Sequence, residues 1–252
     1  MNYYIITSTS RGLGEAIAKK LLNKNNFLSC LSSTRNNQLI ALSEEQNCNL
    51  HYIEFDLNKV NEIDNLMEEI FQKIDPENIG SINLINNAGT IKPIIAIEQH
   101  TSEEIINSFN VNLISPAMIT SKFIAKTTGY SFEKRIINIS SGASKKPYDG
   151  WSTYCSSKAA LDMFTQSVSV EQNKKEFPVK IVSFDPGIID TDMHNEIRES
   201  NVEDFSQLER FIDFKEKGSL LTVEFVADKL IKLLEENSFV SGEYIRIWDM
   251  SK

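Results

Sequence analysis

The sequence predicts an α/β fold, a doubly wound parallel sheet of about seven strands with helices on both faces. Three observations carry this reading. Apolar runs of strand length alternate with longer amphipathic stretches along the chain. The runs are too rich in Ile, Leu, Val, Phe and Tyr to leave a face in water, so they read as buried strands. The Gly, Asn and Ser clusters that could touch a ligand follow the ends of these runs, where open parallel sheets bind their ligands.

The first strand is expected at 3–7. It leads into Thr7-Ser8-Thr9-Ser10-Arg11-Gly12-Leu13-Gly14 and a helix over 15–22. Glycines at such a turn let the main chain approach a pyrophosphate, and the helix N-terminus favours its charge. An ordinary turn with a glycine helix start is the blander reading. Strands at 27–31 and 50–55 follow. In 60–74, Val60, Ile63, Leu66, Met67, Ile70, Phe71 and Ile74 form one stripe at steps of three and four, which predicts a helix. A fourth strand at 82–85 runs into Asn86-Asn87-Ala88-Gly89. Thr101-Ser102-Glu103-Glu104 has the form of a capping box, and Pro116 should bend or interrupt the helix it starts. Strands at 135–139 and 179–184 end in Ser140-Ser141 and Asp185-Pro186-Gly187, and 244–248 supplies the seventh.

No repeat, low-complexity tract or Pro/Gly-rich linker divides the chain, so 1–252 reads as one domain. The long, polar segment 192–218, with a helical patch around 205–214, reads as a mobile lid over a substrate pocket. A net charge of −9 with dispersed Lys and Arg argues against nucleic acid as a partner. No apolar stretch reaches the length of a membrane span, and the first residues lack a signal-peptide pattern. Three cysteines without metal spacing fit a reducing cytoplasm. His51, His100 and His194 offer no i,i+4 metal pair and read as surface or loop residues, so no metal is expected.

Tyr154 and Lys158 carry the most chemistry. A four-residue step on a helix puts both side chains on one face. An ammonium beside a phenol favours the phenolate, bringing the phenol below its ordinary value of about 10. Such a proton donor is what a carbonyl needs as it receives a hydride.

Thr7-x-x-x-Arg11-Gly12-x-Gly14, Asn86-Asn87-Ala88-Gly89, Asn112, Ser141, Tyr154 with Lys158, and Pro186-Gly187 occur in one order along the chain. In this the chain resembles the short-chain dehydrogenase/reductase family over essentially its whole length. Gly150-Trp151-x-x-Tyr154-Cys155-x-x-Lys158-Ala159-Ala160-x-Asp162-Met163 resembles the sepiapterin reductase branch and its bacterial benzil reductase relatives. The resemblance implies a Rossmann-type fold, a nicotinamide cofactor and a homodimer or homotetramer paired through the helices carrying Asn112 and Tyr154. It implies that Ser141 and Tyr154 bind the reacting oxygen, with Ser140 next in line if the register slips. Lys158 would tune Tyr154 and bind the nicotinamide ribose, and Asn112 would hold a water beside Lys158, Asn110 being the other candidate. Thr7, Ser8, Ser10, Arg11, Gly12, Leu13 and Gly14 would form the cofactor turn. Asp56 and Leu57 would meet the adenine, and Asn87, Ala88 and Gly89 the adenosine half. Pro186, Gly187, Ile189 and Thr191 would orient the carboxamide. The family usually has glycine where this chain has Ser8, so serine there either shifts the turn or weakens cofactor binding.

The end of the second strand reads Leu31-Ser32-Ser33-Thr34-Arg35, without the acid that would bind the ribose hydroxyls of NAD. NADP(H) is therefore expected, with Arg11 and Arg35 on the 2′-phosphate, assisted by Ser32 or Ser33; a solvated loop cation is the other reading of Arg35. The expected substrate is a small carbonyl compound held by Ser141, Ala143, Trp151, Tyr154 and Met193. Trp151 serves equally well as an aromatic wall or as core. Sepiapterin reductases anchor the pterin with an Asp where this chain has Arg246, which favours an apolar ketone or benzil-like dicarbonyl. The alternatives are a pterin reductase and a non-catalytic NADPH-binding regulator, and the Ser8 departure speaks for the regulator.

Overall fold

A computed structural model describes residues 1–235 and 240–250; residues 236–239 and 251–252, part of the domain expected over 1–252, lie outside the described residues. Seven strands form one sheet: β1 (Asn2–Thr7), β2 (Asn26–Ser32), β3 (Asn49–Glu54), β4 (Ser81–Asn86), β5 (Glu133–Ile139), β6 (Lys180–Asp185) and β7 (Tyr244–Arg246). They lie in the order β3-β2-β1-β4-β5-β6-β7, every pairing parallel. The winding reverses at β1, which sits between β2 and β4, and a crevice opens there beyond the carboxyl ends of the strands.

Alternation along each strand feeds two cores. Ile6, Leu28, Ile85, Ile137 and Val182 pack on one face against α1 (Gly12–Leu21) and α9 (Val223–Glu235). Ile5, Ile82, Leu84, Ile136 and Ile181 pack on the other, against α3 (Ile63–Phe71), α5 (Ser115–Thr127) and α6 (Ser152–Gln172). Fully buried side chains such as Phe123 and Phe184 each contribute about 1.5–3 kcal/mol. Covering both faces leaves no room for polar alternation in the central strands, which is why their runs are so apolar. The remaining helices are α2 (Asn37–Glu45), α4 (Ser102–Phe109), α7 (Asp192–Arg198) and α8 (Leu208–Glu216).

Three expectations are corrected in detail. The stripe at 60–74 opens with a 3-10 turn at Val60–Glu62 and is α-helical only over α3, although Ile74 still packs on the core. The last strand stops at Arg246, and Ile247–Asp249 turns away as a 3-10 helix. Thr101 and Glu104 close a capping box as expected, but the interruption falls before Pro116, in a π turn over Asn110–Ile114. Pro116 itself lies in the first turn of α5, directly after the π turn.

Candidate active site

The crevice is a cavity of about 1060 Å³ bounded by the loops after β1, β2, β3, β4, β5 and β6. Its left half is built of main chain and short side chains. Ser8 keeps a left-handed backbone, with φ of 58°, so the turn has not shifted to suit serine. A Cβ at Gly14 would lie 2.1 Å from the Ser8 carbonyl oxygen, so only glycine lets α1 start this close to β1. Arg11 is the N-cap of α1 with no side-chain cap, which leaves first-turn N–H groups free for an anion.

Thr7 lies behind this wall, 1% exposed. Its hydroxyl accepts from the Asn87 and Ala88 N–H groups at 2.9 Å each. The Asn87 amide returns the favour to the Thr7 and Ser8 carbonyls, stitching the ends of β1 and β4 together. Ser8, Ser10, Arg11, Gly12, Leu13, Ser32, Ser33, Asp56, Leu57, Asn87, Ala88 and Gly89 all line the cavity, as do Pro186, Gly187, Ile189, Thr191 and Met193. Arg35 does not; its guanidinium lies 3.6 Å from Glu54 outside the lining. Arg11 does line it, paired at rest with Asp192 at 3.2 Å. A turn held open by two positive-φ residues, a helix start without a cap and a groove wide enough for a dinucleotide fit the expected cofactor.

The candidate catalytic group sits between the halves. Tyr154, Lys158 and Ser157 lie within the first two turns of α6 and are buried, and Ser141 follows β5. The Ser141 hydroxyl accepts from the Ala143 N–H at 3.1 Å and acts to lower the Tyr154 phenol. Ser140, the alternative, also lines the cavity, with its hydroxyl buried and without a partner. Asn112 is fully buried in the π turn, with its amide clamped on Thr90 by two bonds of 2.8 Å, accepting from the N–H and donating to the C=O. The extra residue of the π turn lets an asparagine in a helix turn its amide outward to this job. A Cβ on Gly89 would lie 3.4 Å from both Asn112 Oδ1 and Lys158 Nζ, so glycine keeps open the space these groups flank.

The electrostatics reverse one expectation. Burial pushes the Tyr154 phenol up to about 12; Ser141 offsets part of this, and the Asp185 and Cys155 charges add to it. Lys158, whose Nζ is 5.9 Å from the Tyr154 ring centre and donates to the Ile139 carbonyl at 2.8 Å, does not overcome that desolvation. Burial lowers Lys158 itself to about 8, opposed by the charge of Asp162. The phenol is therefore held protonated at neutral pH, the form that gives a proton to an alkoxide.

The right half is aromatic. Trp151 stacks on Phe205 at 4.6 Å, meets Phe211 at 5.4 Å and stands edge-on to Tyr154 at 5.9 Å. Trp151 belongs to this core and also lines the cavity. Residues 192–218 form α7 and α8 packed into this cluster, with Phe205 wholly buried. His194 corrects the surface reading of the histidines: it is 2% exposed, on α7, against Phe211 and facing the cavity. Thr90, Tyr148, Phe211 and His194 also line the site; the aromatic spacing over 205–214 was the available signal for Phe211. Among the described residues no cluster of His, Cys, Asp and Glu could hold a metal ion.

Residues 2–202 match the short chain dehydrogenase family. The chain belongs to that family. It is an oxidoreductase acting on carbonyl or CH–OH groups. This dehydrogenase is 47% identical to the benzil reductase ((S)-benzoin forming) of Bacillus cereus, over 98% of this chain and 99% of that protein. It is 29% identical to the sepiapterin reductase of Bos taurus, over 97% of this chain and 94% of that one. Among solved structures, the KRED1-Pglu enzyme superposes with a TM-score of 0.82 at 29% identity, covering 97% of this chain and all of that chain.

Proposed function

We propose that this dehydrogenase is an NADPH-dependent carbonyl reductase acting on a ketone or benzil-like dicarbonyl, with Tyr154 as proton donor. The observation that carries the reading is the buried Tyr154 phenol, sharing one cavity with Ser141 and Lys158 between a dinucleotide groove and an aromatic wall. A bound nicotinamide supplies the hydride. As the carbonyl carbon takes it, the π pair moves to oxygen, the Ser141 hydroxyl donates a hydrogen bond to that oxygen, and Tyr154 gives up its proton. Lys158 and Asn112 flank the space from which a water can return a proton to Tyr154.

The absence of an acid among Ser32, Ser33 and Thr34, together with Arg11 on the same rim, supports NADPH. Arg35 can join by leaving Glu54, an exposed pair worth at most about 1 kcal/mol. A dicarbonyl is favoured over a pterin because Arg246 is tied to Asp249 by two bonds of 2.8 and 2.7 Å, and neither lines the cavity. Exposed Ile106, Ile114, Met163 and Val170, on the helices carrying Asn112 and Tyr154 or beside them, support a homodimer or homotetramer. The free Cys30, Cys48 and Cys155 support a reducing cytoplasm, and among the described residues no helix is long and apolar enough to cross a membrane.

The test is oxidation of NADPH and NADH with benzil, a simpler diketone and sepiapterin. NADPH-selective turnover of benzil but not sepiapterin is expected, with Arg11→Ala cutting the NADPH preference by roughly tenfold. Sepiapterin turnover would refute the substrate class, and NADPH binding without turnover of any carbonyl would refute the enzyme.

A further inference from the structure

Behind Ser141 lies a polar network that the proton transfer does not itself use. Tyr244, the first residue of β7, brings its phenol oxygen to 2.9 Å from Asp185 Oδ2 and 3.2 Å from the Ser141 carbonyl oxygen. Asp185 ends β6, is 8% exposed, and accepts from the Gly187 N–H with its other oxygen at 3.1 Å. The same carboxylate is within 3.6 Å of where a Cβ on Gly142 would stand. Lys145, four residues after Ser141, lies 4.0 Å from the centre of the Tyr244 ring and pairs with the buried Asp162 at 2.8 Å. Asp162 is one turn beyond Lys158 on α6.

We propose that Tyr244 and Asp185 are a positioning pair that fixes the Ser141 turn against the Pro186-Gly187 loop and places a fixed negative charge beside Tyr154. The inference rests on the carbonyl reductase reading of the site.

The geometry requires the two residues to act together. A carboxylate this buried is stable only with hydrogen bonds to both oxygens, and Tyr244 and the Gly187 N–H supply them. The bond from Tyr244 ties β7 to β6, its second contact ties both to the serine turn, and Lys145 ties that turn to α6. The serine donor and the carboxamide loop are thereby held in one frame, although they follow different strands. The charged and titratable groups around Tyr154 are Asp185 from β6, Cys155 and Lys158 on its own helix, and behind them Lys145, Asp162 and Tyr244. Of these, Asp185 is an acid that acts to keep the proton on Tyr154. Tyr244 is itself held protonated by burial and by Asp185, so it stays a donor.

The experiment compares Asp185→Asn and Tyr244→Phe with wild-type holoenzyme in two ways. One is the pH profile of oxidation of the alcohol product with NADP+. The other is ionisation of Tyr154 followed by tyrosinate absorbance, subtracting Tyr154→Phe. In Asp185→Asn the rising limb and the Tyr154 ionisation should move to lower pH by roughly one unit, because the negative charge is removed; in Tyr244→Phe they should move to higher pH, because that charge stays while the Ser141 hydroxyl, which lowers the phenol, loses its place. Tyr244→Phe keeps the ring under Lys145, so it covers the case in which Asp185→Asn does not fold. Lower rates with an unmoved limb and an unmoved Tyr154 ionisation would overturn the proposal, leaving a merely structural role. If no carbonyl or alcohol is turned over, the reductase reading fails, and the absorbance titration alone still decides whether Asp185 acts on Tyr154.

Discussion

The two halves of the crevice are built on different physics. The cofactor half is main chain: Ser8, Gly12, Gly14 and Gly89 are where they are because of a φ angle or the room a Cβ would need. The substrate half is side chain: Trp151, Phe205 and Phe211 hold one another, and only their summed area fixes them. A main-chain site tolerates few residues at each position, whereas an aromatic wall can be rebuilt from many combinations. The first half is thus suited to a constant ligand, the second to a substrate that differs between relatives.

The sharpest test of that division removes the one group serving both halves. Tyr154→Phe keeps the ring against Trp151 and deletes the proton, so kcat/KM for benzil should fall by about 10²–10⁴ while NADPH affinity changes little. Loss of cofactor binding as well would mean that the phenol belongs to the cofactor half and the division is drawn in the wrong place.

The same difference governs what could be seen in advance. The places of Ser141, Gly12 and Asn87 in the crevice were legible because each follows a strand end, and those of Tyr154 and Lys158 because they share one helix face four residues apart. His194, Phe211 and Thr90 were not, because their roles depend on α7, α8 and the π turn packing back over the crevice from elsewhere in the chain. Arg35 read as a phosphate ligand because the order of residues places it at the rim, but Glu54, its neighbour only through the pairing of β3 with β2, takes the charge at rest. The direction of the Tyr154 shift was misjudged for a related reason. A pair four apart on a helix suggests an attraction, and only the fold shows how completely that pair is buried.

Phe205→Ala probes the aromatic half as structure. The ring is wholly buried and stacked on Trp151, so unfolding in urea should show a loss of about 3–5 kcal/mol. A single shifted transition would make α7 and α8 part of the cooperative fold. A separate early transition, with the main one unmoved, would make them an appendage and restore the lid as an independent unit.

Lys158 gives a test in which activity and stability should part. Its charge is held only up to about pH 8, so kcat/KM for carbonyl reduction should fall roughly tenfold per pH unit above that point. The stability contribution has the opposite sign. Below about 8 both folded and unfolded chains carry the charge, and burial costs the fold its full penalty. Between about 8 and the ordinary value of 10.5 the folded chain sheds the proton first, so the contribution from this group grows with pH. A reduction profile flat to pH 10 would show that the lysine charge is not needed.

The smallest effect bears on the cofactor half alone. Serine at φ of 58° is strained by about 1–2 kcal/mol relative to glycine. Ser8→Gly gives part of this back as extra freedom in the unfolded chain, which leaves a net gain of about 0.5–1 kcal/mol. The variant should therefore melt higher and bind NADPH at least as tightly. A drop in NADPH affinity would mean that the Ser8 hydroxyl contacts the cofactor, so that in this chain even the main-chain half of the crevice recruits a side chain where glycine would have sufficed.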